Sequence, residues 1–508
     1  MTPTTIDALL DRIIRQGVLV CCLGAGSRST QLVHLLQQTH VELMPFVDER
    51  AVGYMALGIA KATQRPVLVV TTSGTAVSNL CPAMTEAANG HINLIALTAD
   101  RPSDTAGTSA NQTIDQQGIF HDALAEVQWE AGRDVCDECD RAFDLMARQG
   151  GPVHVNVRLN DPVTHPLTKW ASVPPPSDPK IVEPPMGTPL PDLSDATRGL
   201  LCIGQLEPWV DHDQIWQVMD HLMWPVVVDG SHSGLKSHPL AFHGADAFCK
   251  AHQPTAFDRI LSIGGRWISK HMSTFLLADH VLHWSEGAKP VVNVMNRYQG
   301  SYKGLLSLST QPHDMPVDGL NKGLALATQA AIAAQPASDL GFIESALNQM
   351  AAPFDCFIAN SLPIRLVDAM HVAHVRHVHV NRGASGIDGN IATIMGLCMA
   401  ESDVPLLAVV GDLAVVYDLN SFLLMPKVRR PVSILIINNG GGDIFSRLPS
   451  VANRPDFNAM FKLAHQWPLA NMIAAMGLNA NRIDHPSALN LDFKHQVIEC
   501  LSQGDLGG

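Results

Sequence analysis

Short apolar runs without polar alternation recur along the whole chain of 508 residues. Such runs are typical of strands that are buried on both faces of a parallel sheet. Amphipathic helical segments alternate with them, beginning with Ile6–Gln16. The pattern therefore predicts an α/β protein built of doubly wound parallel sheets. The predicted strands are Val18–Leu23, Pro66–Val70, Asn93–Leu97, Val153–Val157, Gly199–Ile203, Pro225–Val228, Arg259–Ile263, Val291–Val294, Leu406–Val410, Val432–Ile437 and Val497–Leu501.

Length and proline content divide the chain into domains. A chain of this length exceeds one hydrophobic core, and about three domains are expected. Eight prolines lie between Pro174 and Pro191, and they predict a linker because proline sustains neither a helix nor a central strand. A second domain is predicted to end near Pro336, after an alanine-rich helix. We predict a first domain at 1–175, a central domain at 190–336 and a third domain at 337–508, with the first and third as topological relatives.

Charge and hydropathy argue against several classes of binding partner and against a membrane protein. The net charge of −14 argues against nucleic acid or an anionic membrane as the main partner. No apolar run reaches the roughly 18 residues of a membrane span, and the N-terminus lacks a signal-peptide pattern. We therefore expect a cytoplasmic protein without a membrane span.

Cysteine and histidine clusters offer weak metal-site candidates. Cys136 and Cys139 have zinc-like spacing, but no second pair lies nearby, so free thiols are the better interpretation. The segment HVRHVHV at 374–380 alternates like a strand, so its imidazoles should point to opposite faces. We interpret these histidines, together with His371, as structural.

In the last third of the chain, residues with hard oxygen ligands follow two neighbouring predicted strands. Asp412 comes directly after the strand Leu406–Val410, and Asn439 follows the strand Val432–Ile437. They are 27 residues apart, which suffices for one strand–helix–strand crossover, so both should lie at the carboxyl edge of one sheet. A carboxylate, an amide oxygen and a carbonyl from the Gly440–Gly442 turn are ligands that suit Mg²⁺ with substrate phosphates. The alternative is an ordinary α/β turn that carries Asp and Asn.

A second ligand-binding turn is predicted near the N-terminus. The segment TTSGTA at 71–76 passes from a strand into a helix, where backbone N–H groups can hold an anion or a polar ring.

Several motifs together resemble one enzyme family. The Gly-Asp and Asn-Asn pair resembles the diphosphate–metal motif of thiamine-diphosphate enzymes, and more specific segments resemble the 2-succinyl-5-enolpyruvyl-6-hydroxy-3-cyclohexene-1-carboxylate synthases of menaquinone biosynthesis. The resemblance covers the first and third predicted domains densely and the central one thinly. The segments are GSRST at 26–30, DERAVGYMALGIAKAT at 48–63, TTSGTAVSNL at 71–80, LTADRP at 97–102, ANQTIDQQGIF at 110–120, GPVHVNV at 151–157, NRGASGIDG at 381–389 and NNGGGDIFSRLP at 438–449.

The resemblance implies a thiamine-diphosphate-binding fold. Its first domain would hold the pyrimidine ring, its third the diphosphate with Mg²⁺ or Mn²⁺, and the central domain would be a spacer. It also implies a homodimer or a dimer of dimers, in which Glu49 and Asp412 meet one cofactor from different chains.

The resemblance also assigns roles to residues that hold the cofactor. Glu49 stands where the family has the catalytic carboxyl group that shares a proton with the pyrimidine ring. Its alternative role is a helix N-terminal acid stabilised by the helix dipole. Ile387 resembles the family's apolar prop beneath the cofactor rings, with core packing as the alternative. The other implied cofactor contacts are Ser73, Gly74, Gly411, Asp412, Leu413, Asn439 and Gly441, of which Asp412, Asn439 and Gly441 would bind the metal.

Two dicarboxylate substrates, 2-oxoglutarate and isochorismate, are implied in the same way. Arginine suits bidentate contacts to carboxylates, whereas lysine acts as a point charge. A solvated surface position is the alternative for each basic residue. The implied substrate contacts are Ser27, Arg28, Arg101, Asn111, Gln112, Lys270, Ser361, Arg365 and Arg382, with Ile444, Phe445 and Leu448 as an apolar wall.

The implied reaction is the decarboxylation of 2-oxoglutarate, followed by 1,4-addition of the succinyl carbanion equivalent to isochorismate. One alternative is a related decarboxylase or carboligase that acts on another 2-oxo acid. The other is a non-catalytic paralogue that uses the fold as a binding module.

Several positions depart from the family pattern. Ala25 replaces a usual proline, His271 a common arginine, Ala414 a frequent serine and Gly440 a frequent third asparagine. The sequence also stops soon after Val497–Leu501, without the usual closing helix. These departures spare Glu49 and Asp412, but they predict a weaker second carboxylate site or lower local stability.

Overall fold

The computed structural model describes residues 5–160, 170, 172–180, 191–287, 292–350, 353–372 and 374–504. Within these residues the strands form three six-stranded sheets, and every pairing between strands is parallel. Helices connect the strands, because parallel neighbours require crossover connections. The predicted class of three doubly wound parallel sheets is confirmed.

The first sheet has the strand order β2-β1-β3-β4-β6-β5. Its central strands are apolar and buried, as expected when helices cover both faces. The strands are β1 Val20–Gly24, β2 Glu42–Pro45, β3 Val67–Thr71, β4 Leu94–Asp100, β5 Ala125–Trp129 and β6 Val153–Arg158; the helices are α1 Ile6–Ile14, α2 Thr30–Leu36, α3 Glu49–Thr63, α4 Thr75–Ser78, α5 Cys81–Gly90 and α6 Cys136–Gln149.

The second sheet has the order β12-β11-β10-β7-β8-β9, with a buried apolar cluster on each face. Numbered within the sheet, this is the 3-2-1-4-5-6 order of dinucleotide-binding folds. The strands are β7 Gly199–Ile203, β8 Val226–Val228, β9 Ala241–Phe242, β10 Arg259–Ile263, β11 Val281–Ser285 and β12 Asn296–Gln299; the helices are α7 His212–Leu222, α8 Ala245–Ala251, α9 Lys270–Phe275 and α10 Asp318–Ala334.

The third sheet has the order β14-β13-β15-β16-β18-β17, which repeats the order of the first sheet strand for strand. The prediction that the first and third domains are topological relatives is therefore confirmed. The strands are β13 Phe354–Ile358, β14 Val375–His379, β15 Leu406–Gly411, β16 Val432–Asn438, β17 Asn479–Ile483 and β18 Gln496–Leu501; the helices are α11 Asp339–Asn348, α12 Leu362–Asp368, α13 Asn390–Met399, α14 Asp412–Tyr417, α15 Pro449–Ala452 and α16 Leu469–Ala474.

The chain forms two compact units that are not simple consecutive segments. The first contains residues 1–182, 381–402 and 417–430, and the second contains 183–380, 403–416 and 431–508. The first sheet thus belongs to one unit, together with α13, and the other two sheets belong to the second. The domain boundaries predicted from the sequence stay predictions.

Helix α13 packs against α3 inside the first unit. Every residue of α13 is buried, as are residues 51–60 of α3. Two glycines allow the close approach. A Cβ on Gly58 would lie 2.1 Å from the Thr393 carbonyl oxygen, and one on Gly396 would lie 2.1 Å from the Met55 carbonyl oxygen. Since no side chain fits there, the two helix backbones are in direct contact.

One predicted strand is absent at its predicted position, and the predicted linker is described only in part. Residue 291 of the predicted strand Val291–Val294 lies outside the described residues, and 292–294 form no strand; the strand lies instead at β12, after this segment. The predicted proline-rich linker falls partly outside the described residues, and its described portion at 174–180 forms neither helix nor strand.

The described residues include all of the cysteines and histidines that were weak metal candidates. All ten cysteines lie in the described part of the chain and are free thiols. The segment HVRHVHV contains β14, as its alternation predicted. Among the described residues, no cluster of three or more His, Cys, Asp or Glu could hold a metal, and no helix is long and apolar enough to cross a membrane.

Candidate active site

The carboxyl edges of the first and third sheets hold most of the predicted site residues. In each of these two sheets, the second strand along the chain pairs with one side of the first strand, and the third strand pairs with the other side. Such reversal points open a crevice in which parallel sheets bind ligands. Ser27 and Ser73 follow β1 and β3 at this point of the first sheet, and Ser361 and Asp412 follow β13 and β15 in the third.

Glu49 is the first residue of α3 and lies against the end of β1. The preceding Asp48 caps the helix, because its Oδ1 accepts from the N–H groups of Arg50 and Ala51 at 2.9 and 3.3 Å. A Cβ on Gly24 would lie 2.7 Å from Glu49 Cγ, so the glycine leaves the space that the glutamate occupies. Asp48 thus serves the helix, while Glu49 faces the carboxyl edge of the first sheet.

The Ser73–Gly74 turn is held by the segment that carries Gln112. Ser73 Oγ donates to the Gln112 carbonyl at 3.1 Å, and Gln112 Nε2 donates back to the Ser73 carbonyl at 2.9 Å. Gly74 has a φ of 83°, which favours glycine, and its N–H donates to Gln116 Oε1 at 3.1 Å. This N–H therefore supports the turn, and the helix α4 that follows has only four residues.

The predicted arginines of the first sheet bind backbone carbonyls. Arg28 is buried, and its Nη1 donates to the Leu159 carbonyl at 3.0 Å. Arg101 Nη2 donates to the Asn111 carbonyl, which joins two predicted substrate residues directly. Ser27, Asn111 and Gln112 are exposed near these arginines along the chain.

Arg382 and Ile387 share the loop that leads into α13. This loop belongs to the same compact unit as Glu49. Ile387 is 37% exposed, and its carbonyl accepts from Asn390 Nδ2 at 2.7 Å. Tyr54 of α3 donates from its hydroxyl to Asp388 Oδ2 at 2.8 Å. Ile387 is therefore not part of the buried core.

Asp412 and Gly441 meet in the second unit. Asp412 is 3% exposed, and its Oδ2 accepts from the Gly441 N–H at 2.8 Å while its Oδ1 accepts from the Leu413 N–H at 2.7 Å. Burial raises the pKa of the Asp412 carboxyl to about 6, although these N–H groups favour its charged form. His465 Nε2 lies 3.2 Å from Asp412 Oδ2.

Asn439 precedes Gly441 by two residues, and its side-chain oxygen has a fixed orientation. Its Nδ2 donates to Asp339 Oδ2 at 2.9 Å, whereas its Oδ1 is buried without a hydrogen-bond partner in the described part of the chain. A buried acceptor without a partner is unfavourable unless a ligand satisfies it. Gly441, with a φ of 136°, cannot carry a side chain, since a Cβ would lie 2.2 Å from the Lys462 carbonyl oxygen.

The remaining predicted residues lie at four separate places. Arg365 Nη1 donates to the Ser361 carbonyl, so this pair lies together at the start of α12. Ile444, Phe445 and Leu448 lie in and directly after the 3₁₀ helix Asp443–Arg447, where Phe445 and Leu448 are exposed. Lys270 is exposed at the start of α9, beside the second sheet, and no described contact joins it to the other predicted residues. Gly411 ends β15, and a Cβ there would meet open space.

Two segments of the chain match family models of known proteins. Residues 3–119 match the N-terminal TPP binding domain of thiamine pyrophosphate enzymes, and residues 363–504 match their C-terminal TPP binding domain. Curated proteins named 2-succinyl-5-enolpyruvyl-6-hydroxy-3-cyclohexene-1-carboxylate synthase are similar over nearly the whole chain. That of Shewanella frigidimarina is 31% identical over 96% of this chain and 91% of its own, and that of Aliivibrio fischeri is 30% identical over 94% and 89%.

The chain belongs to this synthase family. The match at 3–119 contains strands β1 to β4 of the first sheet, and the match at 363–504 contains β14 to β18 of the third sheet. The two sheets have the same strand order. The second sheet lies between the two matched segments.

Sequence reasoning missed several residues that contact the predicted site residues. Asp339 orients Asn439, His465 contacts Asp412, and Gln116 holds Gly74. These residues lie outside the recognised motifs or carry no distinctive pattern within them. A buried polar residue in an apolar helix, such as Glu86 in α5, is the one kind of signal that could have been noticed.

Proposed function

We propose that the protein condenses 2-oxoglutarate with isochorismate in a thiamine-diphosphate-dependent reaction that releases carbon dioxide. The product is 2-succinyl-5-enolpyruvyl-6-hydroxy-3-cyclohexene-1-carboxylate, an intermediate of menaquinone biosynthesis. The similarity to synthases of that name over more than nine-tenths of this chain carries the proposal. None of the comparisons favours another 2-oxo acid or a non-catalytic role.

Glu49 is the proposed acid–base residue. Thiamine diphosphate, when bound, supplies the carbon nucleophile that adds to a 2-oxo acid and stabilises the electron pair left by decarboxylation. A carboxyl group against the pyrimidine ring must hold a proton at a ring nitrogen. Glu49 suits this role because Asp48 already caps α3 and Gly24 leaves space for the Glu49 side chain.

Asp412, Asn439 and the Gly441 carbonyl are the proposed ligands of Mg²⁺ or Mn²⁺. Carboxylate and carbonyl oxygens are the ligands that these cations prefer. The amide nitrogen of Asn439 is bound by Asp339, so the atom left for the cation is the oxygen. With three protein oxygens, the diphosphate and water would complete the coordination.

The substrate carboxylates are proposed to bind the basic residues, and Ile444, Phe445 and Leu448 to line the isochorismate ring. Arg365 and Arg382 follow from the family motifs, with Ser27, Arg28, Arg101, Asn111, Gln112, Lys270 and Ser361 as further contacts. Arg101 already donates from Nη2 to a backbone carbonyl, so it would offer its other N–H groups to a carboxylate. We also propose a homodimer or a dimer of dimers as the active assembly.

A coupled assay with the full-length protein tests the reaction. It contains thiamine diphosphate, Mg²⁺, 2-oxoglutarate and isochorismate, and each component is omitted in turn. The proposal expects product only in the complete mixture. Glu49→Gln should lose activity, while Glu401→Gln, at an exposed position, should retain it. Turnover of 2-oxoglutarate without isochorismate consumption would instead indicate the alternative decarboxylase.

A further inference from the structure

In the loop at 381–389, buried residues alternate with accessible residues of the proposed site. Asn381 is 2% exposed and Gly383 is buried, whereas Arg382 between them and Ile387 further on are accessible. Ser385 has a φ of 62°, a left-handed conformation that is unfavourable for a residue other than glycine. A loop with this backbone must be held by its surroundings.

Glu86 of α5 binds the backbone directly after Arg382. The residue is 2% exposed, and its Oε1 accepts from the Gly383 N–H at 2.8 Å while its Oε2 accepts from the Ala384 N–H at 2.6 Å. A Cβ on Gly383 would lie 2.2 Å from the Glu86 carbonyl oxygen, so the glycine permits this approach. The carboxylate thus fixes two successive peptide groups.

Lys61 of α3 binds the residue on the other side of Arg382. Its Nζ donates to Asn381 Oδ1 at 2.7 Å, and Asn381 Nδ2 donates to Thr393 Oγ1 at 2.9 Å. Burial lowers the pKa of the Lys61 ammonium to about 8, while the nearby charge of Glu86 acts to raise it. Two opposite charges, that of the buried Glu86 and that of the partly buried Lys61, therefore lie on either side of one arginine.

Burying these charges is unfavourable unless hydrogen bonds and the opposite charge compensate. An apolar pair of similar volume would fill the same space at no such cost. The charged groups do what apolar groups cannot, since they fix the direction of the peptide groups next to Arg382.

We propose that Glu86 and Lys61 are positioning residues that aim Arg382 at a substrate carboxylate. The inference rests on the proposed role of Arg382 in binding 2-oxoglutarate. Glu86 and Lys61 touch no substrate and act only through the loop.

A double-mutant cycle in the full-length enzyme separates positioning from fold stability. Glu86→Gln should raise the KM for 2-oxoglutarate roughly fivefold, with kcat changed less than about twofold, because the amide replaces one of the two acceptor oxygens with an NH2 donor that faces an N–H group. Arg382→Ala should raise the same KM roughly tenfold or more. Combining the two should add almost nothing to the effect of Arg382→Ala, since the aimed group is gone. Glu401→Gln, an exposed change of equal charge, should leave KM unchanged.

The outcomes distinguish the inference from the proposed function. Positioning would be overturned if Glu86→Gln raised KM by the same factor in the wild-type enzyme and in the Arg382→Ala enzyme. It would also be overturned if the Glu86→Gln enzyme folded and had an unaltered KM. Either outcome would leave the proposed function intact. An unaltered KM in Arg382→Ala would remove the role of Arg382 and the inference with it. If Glu86→Gln fails to fold, Lys61→Met replaces it in the same cycle with the same expectations.

Discussion

At the scale of single residues, identical carboxyl groups differ in role because their partners differ. Asp48 and Glu49 are adjacent, yet Asp48 binds helix N–H groups and Asn420, while Glu49 lies over a glycine. Asp339 accepts from the Asn439 amide, and Asp412 accepts from the Gly441 turn. Asp48 and Asp339 thus hold the fold, Asp412 combines two backbone hydrogen bonds with its proposed metal role, and Glu49 has the proposed acid–base role.

Asp412→Ala should abolish metal-dependent binding of the cofactor. Removing the anionic oxygen leaves the cation and the diphosphate without neutralising charge from the protein. Titration calorimetry with thiamine diphosphate, with and without Mg²⁺, measures the effect. Asp484→Ala, an exposed position of the third sheet's region, is the control. Undiminished affinity in Asp412→Ala would remove this residue from the site.

Asp418 should make the free energy of unfolding depend on pH. Burial raises the pKa of Asp418 to about 6, against bonds from Ala392 N–H and Ser421 Oγ that favour the charged form. Because the folded state then binds more protons than the unfolded state between about pH 4 and 6, this group's contribution to stability falls as pH rises through that window. The fall is on the order of 2–3 kcal/mol and is complete above pH 6.

Asp418→Asn carries no proton to lose, so its stability relative to wild type should rise across the same window. Chemical denaturation at pH 4, 5, 6 and 7 measures the difference, with Asp104→Asn at an exposed position as the control. A constant difference between wild type and Asp418→Asn at all four values would contradict the assignment.

At the scale of elements, the contact between α3 and α13 makes the first unit compact. Gly58→Ala should lower the thermal unfolding midpoint, because the new methyl group would overlap the Thr393 carbonyl and force the helices apart. Overpacking of this kind costs about 1–3 kcal/mol or more.

Gly323→Ala in α10 is a matched control of opposite sign. A Cβ there meets nothing within 4 Å, and alanine in a helix is more stable than glycine by about 0.5–1 kcal/mol. Thermal melts of both variants should therefore shift in opposite directions. Equal shifts would show that the glycine at position 58 is not required by the helix contact.

The sequence predicted most of the central strands, although not β11 and β13, and it missed every edge strand except β14. The predicted runs at Gly199–Ile203 and Arg259–Ile263 are the observed strands, because a fully buried strand leaves a continuous apolar run. The edge strands Glu42–Pro45, Asn296–Gln299 and Asn479–Ile483 contain exposed residues and no apolar run. Their formation depends on pairing with a neighbour, which local sequence does not encode.

The site was predictable only where motifs carry it. Glu49, Asp412 and Asn439 stand in recognisable segments. Asp339 and Glu86 were missed because their partners are 100 and 297 residues away, and periodicity reports only local neighbours. The residues that hold a site are therefore harder to predict than those that carry the chemistry.

At the scale of the whole molecule, the first and third sheets repeat one strand order in two matched cofactor-binding domains. Related domains allow a two-fold dimer in which the first domain of one chain faces the third domain of its partner. The proposed assembly would then contain two equivalent sites, each with Glu49 from one chain and Asp412 from the other.

Mixed dimers test this arrangement. Glu49→Gln and Asp412→Ala should each be inactive, but in a mixed dimer one site receives both changes and the other receives none. With random exchange about half the dimers are mixed, so activity should recover to roughly a quarter of wild type. Tagged subunits show by affinity capture that exchange has occurred. A mixture that exchanges and stays as inactive as its parents would refute the shared site.

The packing of α13 on α3 also means that the first unit is completed late during synthesis. The first unit needs residues 381–402 and 417–430 to complete it, so its N-terminal sheet leaves the ribosome long before its covering helix. At about 5–20 residues per second, the nascent chain waits roughly 10–40 s with the apolar face of α3 uncovered. A fragment that ends near residue 180 would keep that face uncovered permanently and should depend on chaperones to remain unaggregated.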